Sequence, residues 1–338
     1  MLAKIFEALY PKVLINIVVK RASTLVYIEL CSKKGTISSV HEEFDTVAVN
    51  EKMLQFIQTY IKESPYFYVS LLDRALVQGA LPACSKQELR YYYDLSDCEY
   101  KCVENRWAYY TAKSEIYETE KIYKDIGVDF LFSPFAIINT FFKDKIEGKL
   151  AIYALIEENY ISVAVFESGK LLYGEHLDMQ SVSELDEVLL ADEIHNDDDL
   201  DLDEGIDLES MDVEDDGIEL EDFGDIEDLD TLEDIDEFDS KDVEEELLES
   251  ENVLDEADED DFNEDYQRFS LIQTSIANYY KDERYESQFL ENMYISDGVG
   301  VSRELKRYLE EEMFLNVYIR HIEIDAEICE LAKEELGL

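Results

Sequence analysis

Few residues of this 338-residue chain stand at spacings that do chemistry. The four histidines, His41, His176, His195 and His321, are scattered, and no Gly-x-Ser-x-Gly, phosphate-cradling Gly-rich loop or His-Glu-x-x-His occurs. Cys98 and Cys102 form a C-x-x-x-C pair with no second pair nearby. A zinc site would need two more ligands, and the nearest histidines in sequence are His41 and His176, so no metal site is expected. The five cysteines (Cys31, Cys84, Cys98, Cys102 and Cys329) are odd in number and do not space as a disulfide framework, which suits a reducing cytoplasm. Asp199-Leu-Asp-Leu-Asp-Glu-Gly205 approaches a calcium loop, but its Gly falls one place late and its twelfth residue is Ser210 rather than Glu. One stretch is better placed. Ser296-Asp-Gly-Val-Gly300 follows a short strand, Met293–Ser296, and leads to Ser302, which predicts the N-cap of a helix over Arg303 to about Met313.

The elements that would position such a turn read clearly at both ends of the chain. Val13–Val19 is a nearly continuous apolar run, as for a strand covered on both faces. With Thr24–Leu30 and Thr36–Phe44 it predicts a three-stranded meander, followed by a helix over about Asn50–Lys62 and a strand at Tyr66–Leu72. The middle is mixed. Ser85–Cys102 has no clean period, and Tyr91-Tyr-Tyr93 reads as the half-buried face of a sheet or helix. Arg106–Thr111 reads as a strand, and Ser114 is expected to cap a helix over about Glu115–Asp125 that Gly127 ends. Val128–Phe132 is a short strand, and Pro134 opens a helix running through Phe142. A second meander follows: Lys149–Glu157, Tyr160–Phe166 and, after the Ser168-Gly-Lys170 turn, Leu171–Leu177. Helices over Asp265–Lys281 and Asp325–Leu336 and a strand at Val317–Ile319 complete the C-terminal piece.

Between the two ends lies an acidic run, Asp186–Asp265, in which 42 of 80 residues are Asp or Glu and Lys241 is the sole Lys or Arg. The run accounts for −41 of the net charge of −54. Self-repulsion at that density opposes collapse, so the sequence predicts a disordered insertion. Its dotted Leu, Ile and Phe residues fit either a solvated spacer or a docking tail for a basic, apolar groove. The overall charge disfavours nucleic acid and anionic lipid as direct partners. No apolar run reaches 18 residues. At the start of the chain Leu2, Ile5, Phe6 and Leu9 stand at helical spacing; such a turn or two docks on its own domain or touches a membrane. The C-terminal strand, glycine turn, helix and strand form a crossover that needs a sheet to join. The second meander is the available one, so the two pieces are expected to fold together around the run.

Two meanders followed by helices and crossovers resemble the duplicated actin-like fold, and specifically the PilM-like and GspL cytoplasmic-domain proteins of the FtsA/PilM superfamily. The stretches that carry the resemblance are Leu2–Leu30, Tyr153–Lys170 and Glu291–Leu309, laid out like the family's two phosphate hairpins and its adenosine motif. It implies an α/β (α+β) fold. The first lobe would be 1–148, with an inserted subdomain at about 49–142; the second would be 149–185 plus 266–338; 186–265 would be the disordered insertion. By resemblance the nucleotide cleft falls on Asn16, Lys20, Leu155, Glu157, Ser296, Asp297, Gly298 and Gly300. The departures are chemical. The first loop, Asn16-Ile-Val-Val-Lys20, has neither the Asp nor the Gly that cradle phosphate and Mg²⁺. The second reads Leu155-Ile-Glu157 where the family has Asp-Ile-Gly, and Asp297 stands where the family has Gly. The expectation is therefore a vestigial cleft with no catalytic residue, no metal and no ATP or Mg²⁺ cofactor. The implied role is a non-catalytic cytoplasmic scaffold, peripheral to the inner membrane. It would bind the tail of a PilN-like single-pass protein, meet other platform proteins and self-associate, with no nucleic acid among its partners. The machine implied is a type IV pilus, a type II-like secretion system or a flagellar motor using pilus-type platform parts. The alternatives are a nucleotide-binding actin-like ATPase that polymerises at the membrane and, more weakly, an acidic nucleic-acid mimic.

Overall fold

A computed structural model describes the backbone of residues 10–180 and 259–338, and the side chains of 10–180 and 264–338. The expectations for Leu2–Leu9, for the Asp199 loop and for the body of the acidic run lie outside the described residues. The first sheet starts from β1 (Lys12–Val19), which pairs antiparallel with β2 (Thr24–Ser32); β2 in turn pairs antiparallel with β3 (Gly35–Phe44). β4 (Phe67–Leu72) joins β1 in parallel and β8 (Phe130–Phe132) joins β4 in parallel, giving the order β3-β2-β1-β4-β8. The continuous apolar run of β1 has its physical cause here. Val13, Ile15 and Ile17 enter a core under α1 (Glu51–Ile61), while Leu14 points to the opposite face, toward the C-terminal helix.

The second sheet repeats the plan. β9 (Ala151–Ile156), β10 (Tyr160–Glu167) and β11 (Lys170–Asp178) are antiparallel neighbours. β12 (Asn292–Asp297) lies parallel to β9, and β13 (Asn316–His321) parallel to β12. The piece that follows the acidic run thus completes the sheet that precedes it. β9 alternates strictly: Ile152, Ala154 and Ile156 enter one core, Ala151, Tyr153 and Leu155 the other. The first core is closed by α6 (Glu259–Lys281) and α7 (Arg303–Met313), and the second by α4 (Pro134–Phe141) and α8 (Ile324–Leu336). α4 rests on β9 and β10, whereas α8, although last in the chain, packs on β1, β2 and β4 of the first sheet and against α4.

Several expectations change. The inserted block at about 49–142 does not stand apart, because α1, β4, β8 and α4 all belong to the first sheet or to the core between the sheets. β5 (Gln78–Leu81), α2 (Lys86–Tyr92), β6 (Cys98–Val103) and β7 (Trp107–Ala112) leave it, and these strands extend the second sheet beyond β11 through one residue pair, Glu175↔Gly79. The unclear period of Ser85–Cys102 reflects a seven-residue helix followed by an edge strand. Helix α3 (Lys113–Ile122) begins before Ser114, on Ala112, with no side-chain cap; a short α5 (Lys143–Ile146) follows α4. α6 starts at Glu259 rather than Asp265. Cys84 and Cys102 are joined in a disulfide, with Cα atoms 5.5 Å apart, and Cys31, Cys98 and Cys329 are free and buried. Linear spacing concealed that pair, since the β7–β6 hairpin folds Cys102 back beside the residue that follows β5.

Candidate functional site

The C-terminal end of β1 in the first sheet and those of the paired strands β9 and β12 in the second border a cleft. It is a cavity of about 200 Å³ lined by Lys20, Arg74, Glu157, Tyr160, Gly298, His321 and the start of α8, Glu323 to Asp325. Of the residues singled out in the sequence, Lys20, Glu157 and Gly298 line it. Asn16, Leu155 and Ser296 lie in the strands beneath, fully buried. Asn16 Nδ2 donates to the carbonyl of Tyr27 at 3.2 Å, Leu155 packs into the core between the sheets, and Ser296 Oγ donates to the carbonyl of Ala154 at 2.8 Å. Asp297 and Gly300 form the turn at the rim.

Asp297 turns its carboxylate back over its own loop. Oδ1 accepts from the backbone N–H of Val299 (3.0 Å) and Gly300 (2.8 Å), and Oδ2 from that of Val301 (2.9 Å). Successive backbone N–H groups in a tight turn form an anion nest. Here the nest is filled by the protein's own anion. Gly300, at φ +82°, supplies the left-handed residue the turn requires. Gly298 is needed for packing: a Cβ there would meet Ile324 Cδ1 at 2.8 Å and the Ile156 carbonyl at 3.0 Å. The open side of that glycine is thus occupied by the first residue of α8.

Beside this turn, at the end of the neighbouring strand, the cleft is acidic. Glu157, 7% exposed, ends β9 with its Oε1 lacking a hydrogen-bond partner. Burial pushes its carboxyl up to about 8; Asp73 and Glu158 add to the rise, and Arg74 opposes it. The cations nearby are engaged elsewhere. Lys20 pairs with Glu43 at 3.1 Å. Arg21 reaches across to the β9–β10 turn: its backbone N–H donates to Glu158 Oε2 at 2.7 Å and its guanidinium to the Glu158 carbonyl at 2.8 Å and to Glu264 at 2.6 Å. Arg74 lies over the ring of Tyr160, 5.5 Å from its centroid. A triphosphate would meet Glu157 at the β9–β10 hairpin, and the N–H groups of the β12–α7 turn are already taken by Asp297, in a space below the ~300–1,000 Å³ of ordinary small-molecule sites. The residues present do not fit a nucleotide. Among the described residues no His/Cys/Asp/Glu group is arranged to hold a metal.

Arg21, Arg74, Tyr160 and the Glu323–Asp325 wall were not read from the sequence. A usable signal existed for Arg74. It stands two residues beyond a predicted strand, and in a parallel sheet the residues after each strand gather at one edge.

A strand order that runs 3-2-1-4-5 in each of two sheets, with a cleft at the strand ends, defines a protein of the duplicated actin-like fold. The chain belongs to the family described as Domain of unknown function (DUF8341), whose model matches residues 152–337. A second model, Domain of unknown function (DUF8569), matches residues 10–139. No curated protein matches the chain by sequence. Among solved structures, it is similar to a Bacteroides thetaiotaomicron protein with actin-like ATPase fold and unknown function (11% identity, TM-score 0.47, covering 94% of this chain and 95% of that one). It is also similar to the PilM–PilN type IV pilus biogenesis complex (11%, 0.45, 90% and 87%) and to MreB 5 of Spiroplasma citri bound to AMPPNP (10%, 0.40, 96% and 97%). No helix among the described residues is long and apolar enough to cross a membrane.

Proposed function

We propose that this chain is a non-catalytic scaffold at the inner-membrane base of a bacterial envelope machine. It holds the cytoplasmic tail of a PilN-like single-pass membrane protein and reaches the membrane peripherally, through that partner. The observation that carries the non-catalytic half is the Asp297 carboxylate seated on the N–H groups of Val299, Gly300 and Val301, with Glu157 beside it at the end of the paired strand β9. A phosphate binder leaves such a nest empty for its ligand. The partner half rests on the PilM-like layout of Leu2–Leu30, Tyr153–Lys170 and Glu291–Leu309. A type IV pilus, a type II-like secretion system and a flagellar motor with pilus-type parts all supply such a partner.

The test is a thermal-shift measurement on the full chain. Mg²⁺–ATP at millimolar concentration leaves the melting temperature unchanged, whereas a synthetic PilN-type tail peptide raises it. A shift at micromolar ATP overturns this reading in favour of a nucleotide-binding actin-like ATPase that polymerises at the membrane.

A further inference from the structure

The cleft offers phosphate no free nest, but it holds a buried acid. The groups that face Glu157 come from each element around it: Asp73 and Arg74 after β4, Lys20 after β1, Glu158 and Tyr160 on its own turn, and His321, Glu323 and Asp325 after β13. Lys20 and Glu158 already have partners, in Glu43 and Arg21. Asp73 accepts from Thr111 Oγ1 at 2.5 Å, and Arg74 is held over the Tyr160 ring. Lys20 is thus held in an ion pair, whereas Asp73 and Glu158 accept from a hydroxyl and a backbone N–H, so the carboxyl groups lining the cleft outnumber the cation left there, Arg74. At the centre is Glu157, which lines the cavity, is more than nine-tenths buried, and has its Oε1 without a hydrogen-bond partner. A carboxylate so placed demands a donor.

We propose that this cleft is a receptor for one organic cation, a primary ammonium or a guanidinium, with Glu157 as its counter-ion. The cavity of about 200 Å³ accommodates the end of a single lysine or arginine side chain. Short cytoplasmic tails beside a membrane span are rich in those residues. A tail residue is therefore one source and a free polyamine the other; the tail as source rests on the scaffold reading, while the cation class rests on the cleft. Because burial holds the Glu157 carboxyl up to about 8, it is mostly protonated at pH 7, and a bound cation must expel that proton. Affinity then rises with pH, by about fivefold from pH 7 to pH 8, and levels off above.

The experiment is calorimetric titration of the full chain at about 0.15 M salt, which screens exposed carboxylates such as those of the acidic run. The probes are agmatine, a PilN-type tail peptide, and the same peptide with its Lys and Arg replaced by Ala. Agmatine is expected to bind at one site with release of nearly one proton at pH 7. Glu157→Gln, which keeps the shape of the protonated acid, should weaken binding at least tenfold, and Arg74→Gln should tighten it. Equal binding by wild type and Glu157→Gln, absence of proton release, or no binding by any probe overturns the proposal. If the tail peptide stabilises wild type and Glu157→Gln alike and agmatine does not bind, the scaffold reading stands and the cation site falls. If agmatine binds and the tail does not, the site stands with a free amine as ligand and the scaffold reading falls.

Discussion

Asp297 illustrates how one side chain decides what a turn can hold. Three backbone donors converge on its carboxylate, and hydrogen bonds to a charged acceptor are the stronger kind. Asp297→Ala should cost about 2 kcal/mol in urea denaturation, since it strands N–H groups that the turn half buries. Asp297→Gly should destabilise similarly without conferring ATP binding, because Glu157 still lines the cleft. Both are read by denaturation midpoint and thermal shift. The sequence exposed the identity of these residues but not their orientation. An Asp after a strand is visible; whether its carboxylate points to a ligand or back to its own loop depends on φ and ψ over four residues. Leu155 makes the same point in reverse. It was placed at the cleft by alignment with a motif, whereas strict alternation along β9 sends it into the core.

At the level of elements, the long strands were legible and the attachment of the short ones was not. β1, β9 and β10 read as buried because their apolar residues are nearly continuous, and they are buried on both faces. β5, β6 and β7 carry mixed residues, and nothing local says which sheet they join. They join the second through the single pair Glu175↔Gly79, closely fitted because a Cβ on Gly174 would meet Ala80 Cβ at 2.7 Å. So narrow a seam should open at lower cost than the sheets on either side. Reducing the Cys84–Cys102 disulfide with a thiol should speed amide exchange over residues 84–103 while leaving β1, β9 and β12 protected. Unchanged exchange after reduction would mean that packing of Leu81, Leu89, Ala108 and Tyr110, rather than the cross-link, holds the annex together.

The whole molecule depends on a charged pair that composition could not reveal. Lys333 on α8 meets Glu29 on β2 at 2.7 Å, both largely buried, and Tyr27 (2.9 Å), Thr36 (2.5 Å) and Cys31 (3.1 Å) also donate to that carboxylate. Burial alone would raise Glu29, but these donors, Lys333 foremost, hold it down at about 2 instead of 4.5. A carboxyl with a depressed value stabilises the fold above its unfolded value and loses that contribution as pH falls from about 4.5 to about 2. Lys333→Met should therefore destabilise by about 2–4 kcal/mol at pH 7. The gap from wild type should narrow steadily below pH 4.5, measured as the difference between the two denaturation curves at each pH. The return of the chain's end to its beginning, foreseen only as a shared second sheet, goes further in the structure: α8 seals the first sheet as well. A helix tethered to one lobe and embedded in the other works as a keystone. Moving one half against the other would have to break the packing of α8 on β1, β2, β4 and α4.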